Sequence, residues 1–339
     1  MMNVAVIGSG RAGMIHARNF AQAVPGARLV ALCDSVRESA EAGVAELGAG
    51  TAVTDYTEIL ADPSIDAVVI ATPTRFHREI VVDAAQAGKH ILCEKPMAVE
   101  VSECRLMNET VKRAGVKLQL GFMRRFDDSF RFAKERVEGG EIGDVVLVKS
   151  LTHGPSKPQP WMLDIAQSNG PLAEVSSHDI DALHWYSGSF VEEVYAIAGN
   201  FRTPLAVSEY PDYYDIVALI WRFENGRQGM LDGAQWVEYG YDSRVEILGT
   251  KGIIRVGSMS KYSVVTWSGG SSMTPAVESW RHLFADAYRN EDIAFVDAIR
   301  NDTKPEVTGQ DGLEAVRVVK AGNLSITERR PVKLTEVDG

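Results

Sequence analysis

Over residues 3 to 120, short unbroken apolar runs alternate with longer amphipathic stretches. Asn3-Val4-Ala5-Val6-Ile7, Arg28 to Cys33, Ala67 to Ala71, His90 to Cys93 and Val116 to Leu120 are short and nearly continuous in apolar character. Such runs read as strands covered on both faces, because a strand with one wet face alternates. The segments between them, among them Arg75 to Ala87 and Val99 to Ala114, space their apolar residues as helices do. Repeated strand-helix units joined by short loops predict a doubly wound parallel sheet.

The period changes after about residue 125. A helix over Asp128 to Glu138 and a strand over Val145 to Ser150 precede His153 to Pro160, a stretch too rich in proline for regular structure that could wall a pocket or merely connect. β-type runs follow at Val194 to Ala198, Ile216 to Phe223, Gly229 to Val237, Val245 to Leu248 and Ile253 to Val256. Turn signals such as Glu224-Asn225-Gly226 separate them, which predicts a largely antiparallel open sheet. Helices over Trp280 to Arg300 and Asp311 to Ala321 close the chain. The expected fold is α/β: a Rossmann domain over residues 1–122 and a second α+β domain over 123–339, its last helix free to pack back on the first. Few helices are left to cover the open sheet, so subunits are expected to pack through it.

Gly8-Ser9-Gly10-Arg11-Ala12-Gly13 lies between the first strand and the first helix. Glycines there allow a tight turn and close approach of a pyrophosphate, whose charge the helix N-terminus attracts. By itself G-x-G-x-x-G is a weak signal. It gains weight from Asp34, which ends the second strand 21 residues after Gly13, where a carboxylate can bind a ribose 2′-hydroxyl and repel a 2′-phosphate. An N-cap for the next helix is the competing use of Asp34. NAD is therefore expected over NADP, with Arg37 leaving some room for NADP. Thr72 and Pro73 follow the next long strand at the same carboxyl edge and are assigned to the cofactor with Gly8, Gly10, Arg11, Ala12, Gly13, Asp34, Glu94 and Lys95. Cys93-Glu94-Lys95-Pro96 emerges where such sheets bind ligands, and Pro96 restricts the directions in which Lys95 can point. His77 reads as a polar first-turn residue without a catalytic part.

Composition narrows the partners. Against 35 basic residues stand 46 acidic ones, a net charge of −11 that disfavours nucleic acid and anionic membrane surfaces. No apolar run approaches the roughly 20 residues of a membrane helix. The N-terminal stretch lacks a basic leader and reads as a strand, and Cys33, Cys93 and Cys104 show no C-x-x-C spacing. A reducing cytoplasm is the expected location.

Gly170-Pro171-Leu172 leads into Ala173 to Trp185, which as one helix puts Glu174, His178 and Asp181 on one face. A carboxylate one turn from an imidazole can orient it and raise its basicity, as a proton acceptor requires. Two other readings stand beside this one: a solvated polar face, and a metal site using Glu174, His178 and Asp181 or His184.

Taken together, the glycine turn, Asp34, Cys93-Glu94-Lys95-Pro96 and the Glu174 to Trp185 segment resemble the glucose–fructose oxidoreductase / inositol dehydrogenase / MocA family over essentially the whole chain. Gly121 to Asp127 and Tyr239-Gly240-Tyr241-Asp242 resemble its inositol 2-dehydrogenase branch. The resemblance implies NAD(P)-dependent oxidation of a ring hydroxyl, no metal, and homodimers or homotetramers. It also implies that Lys95 binds the reacting oxygen, that His178 accepts the proton, and that Arg124 and Tyr241 contact the polyol with Glu174. Two departures leave the substrate open: Glu174 stands where the inositol enzymes carry aspartate, and Gly154 stands near a position where they offer a polar contact. Family members that cycle NAD without net redox, in glycoside hydrolysis or epimerisation, are the alternative, followed by a catalytically silent NAD sensor.

Overall fold

In the first unit the strands Met2–Ile7 (β1), Ala27–Cys33 (β2), Thr51–Val53 (β3), Ala67–Ile70 (β4), His90–Cys93 (β5) and Leu118–Leu120 (β6) pair in the order β3-β2-β1-β4-β5-β6. Every pairing is parallel. This is the doubly wound order whose direction reverses between β1 and β4, so the ligand-binding crevice falls at their carboxyl ends. Five of the strands follow the apolar runs of the sequence. The sixth, β3, is built from exposed and half-buried residues, and so lacks the apolar signature of its neighbours. The computed structural model describes residues 1–204 and 206–338, and the chain divides into two compact units, residues 1–126 with 286–313 and residues 127–285 with 314–339.

The first unit's core shows why its strands read as continuous apolar runs. Val4, Val6, Leu29, Leu32, Val69 and Leu92 from the sheet meet Ala17 and Phe20 from the helix Arg11–Gln22, and Phe295 and Val296 from the helix Ala285–Arg300. A strand buried on both faces has no position left for a solvent-facing polar residue.

The second unit holds a seven-stranded sheet. Its strands are Val145–Gly154 (β7), Val191–Gly199 (β8), Ile216–Phe223 (β9), Gln228–Gln235 (β10), Asp242–Gly249 (β11) and Ile253–Val256 (β12), with Val332–Lys333 (β15) at one edge; a separate hairpin joins Thr266–Ser268 (β13) to Ser271–Met273 (β14). The order is β12-β11-β7-β10-β9-β8-β15. All neighbours are antiparallel except β7 and β10. Side chains alternate as a sheet with one covered face requires: Val217, Leu219, Trp221 and Phe223 are buried, while Ile220 between them is 56% exposed. Ile220 stands in register with Met230 and Tyr195, and with Ile197 it forms part of an apolar strip on the open face.

Two local expectations are corrected. His153 and Gly154 are the last residues of β7 rather than the start of an irregular loop; the strand reaches them by pairing with β10 and β11. The single helix expected through Glu174 is two helices, Gly170–Glu174 and Ser177–Ser187, with Val175 and Ser176 between them. The i, i+4 relation of Glu174 to His178 along one helix therefore does not exist. Hydrophobic spacing alone could not register the break.

Candidate functional site

The glycine turn is shaped by three different demands. Gly8 has φ +102°, and a Cβ there would lie 2.6 Å from the Ala71 carbonyl oxygen at the end of β4. At Gly13 a Cβ would lie 1.8 Å from the Gly8 carbonyl oxygen, so the first helix can seat on the turn only without a side chain. Gly10 differs: among the described residues, a Cβ would meet nothing within 4 Å. Among the described residues, nothing packed on position 10 requires glycine there. Gly10 is the N-cap of the helix Arg11–Gln22, with no side-chain cap and no acidic residue in the first turn among the described residues. An open, electropositive helix start beside a side-chain-free loop is the environment that a pyrophosphate requires. The residues fit NAD.

Asp34 follows β2 and is half-buried. Its Oδ2 accepts from the Ser9 backbone N–H at 2.9 Å and the Ser9 hydroxyl at 2.6 Å, and its Oδ1 accepts from Val36 N–H at 3.0 Å. Partial burial works against the charged form, but the donations from Ser9 and Val36 outweigh it and hold the Asp34 carboxyl below its ordinary value. Asp34 is therefore an ionised acceptor fixed to the glycine turn. The N-cap of the following helix Arg37–Leu47 is Val36, with no side-chain cap, so Asp34 is not spent on capping it. Arg37 pairs with Glu41 at 3.7 Å.

At the end of β5 the chain turns through Glu94, half-buried Lys95 and buried Pro96, joined by a cis Lys95–Pro96 peptide. The Glu94 N–H donates to Ile70 O at 2.9 Å, extending the β4–β5 pairing by one bond. The Glu94 carboxylate is turned inward. Its Oε2 accepts the Lys95 backbone N–H at 3.0 Å, and its Oε1 lies 3.2 Å from His16 Nε2. His16 Nδ1 is in turn 2.6 Å from Asp292 Oδ1, and Asp292 Oδ2 accepts from Asn19 at 2.7 Å. His16 and Asp292 are fully buried.

Burial disfavours a charged His16, but Asp292 and Glu94 outweigh it and raise its pKa well above the ordinary value. Burial also raises the Asp292 carboxyl, so the two groups compete for one proton. The proton belongs on the imidazole, because each ring nitrogen faces a carboxylate oxygen and only a doubly protonated ring donates to both.

A second buried histidine lies on the other side of the turn. His77 Nδ1 is 2.8 Å from Pro96 O and its Nε2 is 2.8 Å from Thr72 O. The sequence reading of His77 as a simple polar residue at a helix start is corrected: the ring is fully buried between the Thr72 and Pro96 carbonyls, and in its neutral form donates to one of them. Burial lowers its pKa. Arg124 is also buried in this unit, in the single turn Met123–Phe126, beside Arg125, which pairs with Asp311 at 2.9 Å.

In the second unit His178, Asp179 and Asp181 belong to the helix Ser177–Ser187, and all three are buried, which removes the solvated-face reading. Asp179 fastens this helix to β7: its Oδ1 accepts from Ser150 Oγ at 2.5 Å and Thr152 Oγ1 at 2.9 Å. The residue next to His178 is thus held on the sheet. Glu174 is half-buried at the end of its short helix. Tyr241 is buried, with its N–H donating to Val277 O at 2.7 Å and its ring edge-on to Phe284. Among the described residues no three His, Cys, Asp or Glu side chains gather as a metal site would need.

His16, Ser9 and Asp179 were given no part by the sequence reading, and His77 was read only as a helix-start residue. For His16 a signal was present: it falls on the same helical stripe as Gly13, Ala17 and Phe20, all buried. A histidine on a core-facing stripe must find partners.

An NAD-binding doubly wound unit joined to a mixed-sheet unit defines an oxidoreductase of two parts. Residues 2–122 match the oxidoreductase family with an NAD-binding Rossmann fold, and residues 134–334 match that family's C-terminal alpha/beta domain. The chain belongs to the glucose–fructose oxidoreductase / inositol dehydrogenase / MocA family. It is 34% identical to the scyllo-inositol 2-dehydrogenase (NAD(+)) of Bacillus subtilis over 97% of this chain and 95% of that one. It is likewise 34% identical to the myo-inositol 2-dehydrogenase of Thermotoga maritima, over the full length of both. The crystal structure of scyllo-inositol dehydrogenase from Lactobacillus casei, with bound NAD(H) and scyllo-inositol, superposes with a TM-score of 0.91 at 29% identity and 99% coverage of each chain.

Proposed function

We propose that this NAD-dependent oxidoreductase converts a ring hydroxyl of a cyclic polyol or pyranose sugar to the ketone. The observation that carries the reading is Lys95, held at the carboxyl end of β5 in the unit that fits NAD. Relatives named as inositol dehydrogenases, similar over nearly the whole chain, support the substrate class. Gly8, Gly10, Arg11, Ala12, Gly13, Thr72, Pro73 and Glu94 serve the cofactor, and Asp34 takes the adenosine ribose. NAD is preferred over NADP because an ionised Asp34 repels a 2′-phosphate. When bound, the nicotinamide supplies a hydride acceptor. Lys95 holds the reacting oxygen and stabilises the negative charge that develops on it. His178 takes the hydroxyl proton, Glu174 orients the imidazole or a neighbouring hydroxyl, and Arg124 and Tyr241 grip the ring. In this reading residues 1–122 serve the cofactor and residues 123–339 serve substrate and assembly. The protein works in the cytoplasm as a homodimer or homotetramer built on the open face that includes Ile220, Met230 and Ile197. Among the described residues, no helix is long and apolar enough to cross a membrane.

The test is a panel of inositols, sugars and sugar acids with NAD or NADP, followed through reduced cofactor. Against the substrate so found, Lys95→Met and His178→Ala are expected to lose about 10²–10⁴-fold in turnover while retaining NAD. Near-normal turnover of either variant removes that residue from the mechanism, and a preference for linear or non-hydroxylated substrates overturns the class.

A further inference from the structure

We propose that His16 is a positioning residue for Lys95, acting through the Glu94 carboxylate within the buried Asp292–His16–Glu94 chain. The inference rests on the reading of Lys95 given above. Lys95 follows a strand that ends at Cys93, so its backbone has left the sheet. The backbone donor of Lys95 is taken by the Glu94 side chain at 3.0 Å. That carboxylate needs a second anchor to stay turned inward, and His16 Nε2 at 3.2 Å provides it. His16 is itself fixed by Asp292 at 2.6 Å, and Asp292 by Asn19 at 2.7 Å. The Tyr288 ring closes the site edge-on to the imidazole, with centroids 5.4 Å apart.

The chemistry of the cluster explains why these residue types stand here. Two buried carboxylates without a cation between them would repel each other and be driven toward neutrality. His16 stands between the two carboxylates and holds Glu94 in orientation. His16 also lies on the helix that begins at the glycine turn, two residues beyond Met14, whose N–H bonds Gly10 O. One side chain thus ties the helix that starts at the cofactor turn to the backbone that carries Lys95. On the other side of that turn, His77 Nδ1 lies 2.8 Å from Pro96 O. The Lys95 stem thus departs from a turn anchored through Glu94.

The experiment uses full-length wild type, His16→Gln, Glu94→Ala, Glu94→Gln and Lys95→Met. Three quantities are read: kcat and KM on the substrate found by the panel, NAD affinity by calorimetry, and amide hydrogen exchange at Lys95. Glu94→Ala and His16→Gln are expected to lower kcat about 100-fold, the scale of a small misplacement of a reacting group. In His16→Gln, a residue outside the cofactor set, NAD affinity should stay within about threefold. The Lys95 amide should exchange at least about tenfold faster while β5 stays protected. Glu94→Gln keeps an acceptor for that amide and should recover part of the loss in both rate and exchange.

Unchanged kcat and unchanged Lys95 exchange in Glu94→Ala or in His16→Gln would overturn the inference, and so would a His16→Gln loss confined to NAD affinity. A Glu94→Gln variant no better than Glu94→Ala counts against it in the same way. If His16→Gln does not fold, the Glu94 pair decides alone. Should Lys95→Met be inactive while Glu94→Ala turns over normally, only this inference falls. Should Lys95→Met turn over normally, the reading of Lys95 falls and takes this one with it.

Discussion

The two sheets of this protein solve opposite problems. The parallel sheet of the first unit is covered on both faces, and its proposed site residues Gly8, Asp34, Thr72 and Lys95 follow the ends of its strands. The mixed sheet of the second unit has one covered face, against which the helix bearing His178 is fastened by Asp179, and one open face with Ile197, Ile220 and Met230. In the first sheet, position is set by backbone geometry, and the decisive residues are glycines and their close contacts. In the second it is set by side chains that project from a face. Substitutions should therefore fail differently in the two.

Gly13→Ala should produce the largest effect, since its Cβ would fall 1.8 Å from the Gly8 carbonyl oxygen. We expect at least about 3 kcal/mol of lost stability or no soluble protein, measured by urea unfolding. A stable Gly13→Ala would show that the turn can move and would break the contrast. Phe295→Ala, at a fully buried site in the parallel sheet's core, should cost about 3–5 kcal/mol in the same assay.

The buried charge chain of the first unit gives a pH signature. The folded pKa of His16 is raised, so its contribution is complete below the unfolded value near 6.5 and is lost as pH rises toward the folded pKa. Across that window the unfolding free energy should fall by up to about 1.4 kcal/mol per pH unit, and His16→Gln should abolish this slope. The groups that face His16 are Asp292, Glu94 and the Tyr288 ring, and an unchanged slope in the variant would transfer the effect to another group.

On the open sheet, Ile220→Lys should leave the stability of the isolated subunit within about 0.5 kcal/mol while shifting light-scattering mass toward the monomer. A mass equal to wild type would move the assembly surface elsewhere. Gly10→Ala should change stability least of all, because its Cβ has open space. It should instead weaken NAD, by an amount that calorimetry measures directly against wild type.

Much of the fold was legible because burial on both faces leaves an unbroken apolar run, as at Val4 to Ile7 and Ala67 to Ile70. The open sheet was legible from β-type runs separated by turn signals such as Glu224-Asn225-Gly226, while the burial alternation of Val217, Leu219, Trp221 and Phe223 is hidden in a nearly all-apolar strand. β3 was not legible by that signal, since a short edge strand with exposed residues has no apolar run. The helix break after Glu174 was not legible either, because Val175 and Ser176 are acceptable in a helix and only tertiary packing separates the two segments. Among functional candidates, Gly8, Gly13, Asp34 and Lys95 announced themselves through motif and position. His16 and His77 did not: their roles depend on partners 276 residues away in one case and on backbone carbonyls in the other. Carbonyls carry no sequence signature at all.

Residues 286–313 rejoin the first unit after strands β7 to β12 of the second sheet have been laid down. A gene fragment ending near residue 126 would therefore encode every strand of the parallel sheet and still be incomplete. It would lack Phe295 and Val296 from its core and the Asp292 carboxylate against His16, leaving an oily scar beside a stranded imidazole. Anyone grafting this cofactor module onto another substrate domain must transplant two stretches of sequence, and a nascent chain leaving the ribosome cannot finish its first unit until most of its second has been synthesised.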